Sequence, residues 1–74
     1  MKAVALKAMV LEKTGKKKGY DFLIQQRRTF EREKTSFHLF QICLELAEAF
    51  QEYEELGRYF LKLAKKNSEI LPKL

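Results

Sequence analysis

The chain has 74 residues, of which 46% are hydrophobic and 34% charged, and fifteen Lys/Arg against ten Asp/Glu give it a net charge of +5. A chain this short buries only about 60% of its unfolded surface, so one small domain spanning residues 1–74 is expected, and a single cysteine, Cys43, excludes a disulfide framework for its thin core. The lone cysteine points to a reducing, cytoplasmic setting, no apolar run approaches the roughly 18 residues of a membrane span, and Lys7 interrupts the only stretch that resembles a signal peptide.

The charge is unevenly placed. Residues 1–34 hold ten Lys/Arg against Glu12, Asp21, Glu31 and Glu33, whereas residues 35–74 hold five against six acids. A basic region beside a neutral one is the footprint of a surface for nucleic acid or for an acidic partner.

Residues 2–13 admit two readings. Val4, Leu6, Ala8 and Val10 alternate with Ala5, Lys7, Met9 and Leu11 as a strand would, while Ala, Leu, Met, Lys and Glu are strong helix formers and Gly15 suits a helix end. The next stretch favours the strand: Thr14 to Gly19 is a glycine-bracketed polar loop, and Tyr20, Phe22 and Ile24 alternate after it. A helical stripe of Tyr20, Leu23, Ile24, Arg27 and Phe30 would place Arg27 in the middle of a buried face. The expectation is therefore a basic hairpin or three-stranded antiparallel meander over residues 2–43.

Thr35-Ser36 can cap the next element. From Ser36 to Ile70 the apolar residues Leu39, Ile42, Leu46, Ala49, Tyr53, Leu56, Phe60 and Leu63 hold a three-and-four spacing, with polar Asn67 the one mismatch. Continuous from residue 44 to 67, such a helix would run roughly 35 Å. Phe37 to Leu46 is apolar on every side, so it reads as a third strand leading into the helix or as the centre of a helical oligomer. Gly57 costs roughly 1 kcal/mol against Ala in a helix interior; it lies in line with Cys43, Phe50 and Ala64, where a close contact would justify it. Residues 68–74, with Pro72, read as a flexible tail.

Two resemblances are of pattern alone. Glu55 to Tyr59 is similar to the inter-helix turn of a tetratricopeptide repeat, but Lys62 and Lys66 stand where that repeat packs small and aromatic residues, and no second repeat is present. Gly19-Tyr-x-Phe-x-Ile24, a charged turn, an apolar strand and a helix together resemble the Pur-type modules, dimers that bind single-stranded nucleic acid.

No constellation points to catalysis. His38 and Cys43 are the only soft ligands and lack a third, so neither metal nor cofactor is expected. Glu45, Glu48, Glu52 and Glu55 make an acidic stripe that either faces solvent or pairs with the basic half within the chain or across a dimer. The α+β expectation thus becomes a non-catalytic homodimer that binds nucleic acid, single strands preferentially, through Lys16, Lys17, Lys18, Tyr20, Arg27, Arg28 and Arg32, with Leu39, Leu46, Phe50, Tyr53 and Phe60 at a dimer or partner interface. Cationic groups supply affinity by releasing counterions, and an exposed Tyr20 would stack on bases. The alternative is an all-α bundle that uses the seam to bind a protein, as an adaptor, chaperone-like or antitoxin-like subunit.

Overall fold

The computed structural model describes residues 1–69 and contains, among them, five helices and no strand. Helices cover about 80% of the described residues, which overturns the hairpin or meander and agrees with the all-α alternative. Two compact units divide the chain, residues 1–33 and 34–74.

In the first unit, α1 (Lys2–Thr14) packs along α2 (Lys18–Gln25), and the short α3 (Arg27–Arg32) comes after it. Local propensity wins over period-two alternation in α1, whose sequence is built from Ala, Leu, Met and Lys. Its buried residues are Ala5 and Ala8, with Gly19 and Leu23 buried on α2. Small side chains at three of these four positions suit two closely approaching backbones.

At its end, α1 stops where Thr14 Oγ1 and the Gly15 N–H both donate to the Leu11 carbonyl, at 2.7 and 3.3 Å. Lys17 then turns the chain in the left-handed region, with φ at +70°. The α2 N-terminus has no capping side chain of its own. Instead the Glu12 carboxylate of α1 accepts from the N–H groups of Lys17, Gly19 and Tyr20 at 3.3, 3.1 and 3.4 Å. One acidic side chain thus satisfies the exposed donors of the next helix and meets the positive end of its dipole.

The error over residues 19–30 is one of phase. Gly19, Leu23 and Phe30 are buried, and Gln26 half-buried, at a spacing of four, three and four, while Arg27 faces out. Shifting the helical stripe by one residue from the one read in the sequence removes the conflict over Arg27.

In the second unit, α4 (Phe37–Ala49) folds back on α5 (Glu54–Ser68). The helix begins at Phe37, not near Leu44: Ser36 caps it, its Oγ accepting from the Leu39 N–H at 3.1 Å. The single long helix of residues 44–67 is likewise corrected, because the chain turns at residues 50–53. Leu39, Ile42, Cys43, Leu46 and Phe50 are buried on one side of the turn, and Leu56, Gly57, Phe60, Leu63 and Ala64 on the other. Gly57 lies inside α5, so the repeat-like turn at Glu55 to Tyr59 is absent. A fold-back lets α5 cover α4, whose apolar run would otherwise stay open to water.

Asn67, the mismatch in the stripe, is 1% exposed. Its Oδ1 accepts from the Ser36 N–H at 3.0 Å and its Nδ2 donates to the Leu63 carbonyl at 2.9 Å, which ties the last turn of α5 to the start of α4. Of the expected tail, residues 70–74, including Pro72, lie outside the described residues; Ser68 belongs to α5 and Glu69 is its C-cap.

Candidate nucleic-acid interface

Residues 1–33 hold nine Lys/Arg against four acids, so that the net +5 of the chain resides in this unit and residues 34–74 are neutral, with six of each sign. Lys16, Lys17 and Lys18 are exposed at the α1–α2 junction, held there by the left-handed turn and the Glu12 cap. Arg27, Arg28 and Arg32 are exposed on α3, with Arg28 and Arg32 one turn apart on the same side. Lys18 opens α2 and the three arginines follow its end, so the length of that helix, about 12 Å, lies between the two clusters. Because α1 is a helix, Lys2, Lys7 and Lys13 are also exposed and enlarge the cationic surface. The helix-forming composition of residues 2–13 was the signal that would have added them.

Tyr20 does not present an open stacking face. It is half-buried, with the Lys17 ammonium 5.2 Å from its ring centre, and Phe22 is half-buried under the Lys7 ammonium at 5.1 Å. The Lys17 contact occupies the Tyr20 ring expected to stack on bases, and among the described residues there is no sheet to display it.

Comparison with protein-family models, curated proteins and solved structures returns no match.

The residues expected at a dimer or partner interface lie elsewhere than on the surface. Leu39, Leu46, Phe50 and Phe60 are each 2% exposed or less, and half-buried Tyr53 sits at the turn with its ring 6.2 Å from that of Phe50. These side chains are buried within one chain. The acidic stripe is divided between elements, with Glu45 and Glu48 on α4, Glu52 in the turn and Glu55 on α5, all exposed. Arg58 pairs with Glu54 one turn away on α5, an exposed contact of small energetic weight.

His38 is exposed whereas Cys43 is buried on the other side of α4, and among the described residues no group of three or more His, Cys, Asp or Glu is placed to hold a metal. Burial raises the Cys43 thiol to about 11, which leaves it protonated and unreactive at neutral pH. No helix among the described residues is long and apolar enough to cross a membrane.

Proposed function

We propose that this protein is a small non-catalytic nucleic-acid-binding protein of the cytoplasm, engaging the phosphate backbone through the helical unit of residues 1–33. The observation that carries this reading is the segregation of the entire net charge to that unit, with Lys16, Lys17, Lys18, Arg27, Arg28 and Arg32 all exposed. Cations on separate turns and at a helix junction neutralise phosphates by position and carry no base code. With Tyr20 and Phe22 half-buried beneath lysines, the basis for preferring single strands is removed, and affinity is expected to follow phosphate density. The buried thiol of a lone cysteine is consistent with a reducing compartment.

Fluorescence anisotropy with labelled duplex, single-stranded DNA and RNA at several salt concentrations tests the reading. Binding should weaken steeply with salt, and the combined variant Lys16→Ala, Lys17→Gly, Lys18→Ala should flatten the log–log slope by up to about 2–3 units if each lysine meets a phosphate. Glycine is chosen at position 17 because it adopts the left-handed turn without strain. No binding at low salt, where a phosphate-contacting surface is strongest, would sink the proposal.

A further inference from the structure

Four of the five large apolar side chains exposed among the described residues lie on just two helices, Leu6 and Val10 on α1 and Phe37 and Leu44 on α4. Leu6 is 52% and Val10 60% exposed, one turn apart and on the side of α1 opposite the buried Ala5 and Ala8. Phe37 at 55% and Leu44 at 40% lie two turns apart, opposite the buried Leu39, Ile42 and Leu46. Each pair forms the apolar centre of an outward face.

Their flanks carry opposite charge. Lys2 and Lys13 lie on one side of the Leu6–Val10 pair and Lys7 on the other, whereas Glu45 and Glu48 accompany Phe37 and Leu44 along α4. Both helices are 13 residues long, so the faces match in length at about 20 Å. Each face is exposed on its own unit.

We infer that a second copy of this chain is the occupant: the basic, apolar face of α1 docks on the acidic, apolar face of α4 of another molecule. The contact is heterologous. It closes into a dimer where two such contacts are made reciprocally and grows into longer assemblies where they are not. Each docked helix pair is small next to a standard interface of about 1,600 Å², so a weak, concentration-dependent association is expected. The inference does not depend on nucleic-acid binding, since its test uses protein alone and its residues are not those of the salt-slope experiment.

Sedimentation velocity of the full chain from about 10 μM to about 1 mM gives the first readout, a range suited to an interface below standard size. A rising weight-average mass is expected, with Leu6→Glu or Leu44→Lys weakening association by about tenfold or more, as for a central interface side chain. Two further variants supply the decisive comparison. Lys2→Glu with Lys13→Glu makes both faces acidic, and Glu45→Lys with Glu48→Lys makes both basic, so each variant alone should stay monomeric. Mixing them should restore association, because every basic face then meets an acidic one. Both variants remain net positive, so a restored contact reports local complementarity and not overall attraction, and circular dichroism of each confirms that the helices persist. A monomer at every concentration would overturn the inference, as would an association indifferent to Leu6→Glu and Leu44→Lys, or a mixture that stays monomeric. If Leu6→Gln, which leaves the charge unchanged, weakened oligonucleotide binding in a chain that never self-associates, the face would belong to the nucleic acid and the inference would fail in that way as well.

Discussion

Asn67 shows how a polar side chain earns a place in an apolar stripe. With its amide satisfied on both sides, it joins two ends of the second unit that lie 31 residues apart in the chain. Asn67→Ala leaves the Ser36 N–H without that acceptor and opens space at a buried position, for an expected loss of about 1–3 kcal/mol in urea unfolding. Cys43 makes a separate prediction. Its thiol is raised from 9.0 to about 11 by desolvation, so the folded chain holds its proton where the unfolded chain has lost it. The associated stability is fully present below about pH 9 and is lost as pH rises from there through about 11. Denaturant midpoints should fall across that window, and Cys43→Ala should show a smaller fall than wild type.

The α4–α5 turn has no proline or glycine at residues 50–53 to announce it. Charge marks it instead: Glu54 and Glu55 stand in the first turn of α5 and Lys65 and Lys66 in its last, each at the favourable end of the helix dipole. Gly57 then brings α5 close to that turn. A Cβ added there would lie 3.7 Å from Gln51 Cα and 3.8 Å from the Ala47 carbonyl oxygen, which is ordinary contact. Gly57→Ala should therefore stabilise the protein by up to about 1 kcal/mol through helix propensity. Gly57→Leu pushes further atoms against the turn backbone and should destabilise by about 1–3 kcal/mol; thermal melts of the pair separate a position limited by size from one limited by backbone conformation. In the first unit the decisive contact is also between elements, since it is α1's Glu12 that caps α2. Alternation of Tyr20, Phe22 and Ile24 misleads because all three are half-buried on a helix whose inward line is Gly19 and Leu23.

Across the molecule, charge is separated between a basic unit and a neutral one, and binding should respect that division. Lys62, Lys65 and Lys66 are exposed on α5, like the arginines on α3, but they sit in a unit with equal numbers of acids. Replacing those three lysines with Gln should leave the salt slope of oligonucleotide binding almost unchanged, whereas Arg27→Gln, Arg28→Gln and Arg32→Gln should reduce it by up to about 2–3 units. Equal effects from the two sets would mean that total charge, and not the first unit, drives binding.

Read alone, the chain determined its charge division, the Ser36 cap, the solitary polar position at Asn67 and most of the inward line from Leu39 to Leu63, because each depends on residue type or on spacing along one helix. Tertiary structure decided where that helix turns back. A single helix and a hairpin of two can hold the same apolar residues in one repeating pattern, so periodicity cannot locate the fold-back; covering the apolar run of α4 with α5 does. Propensity already favours the helix over residues 2–14, and tertiary packing added to it there and settled strand against helix for residues 18–32. There the two periodicities overlap over short stretches, and burial of Ala5, Ala8, Gly19 and Leu23 between neighbouring helices selects the helical one.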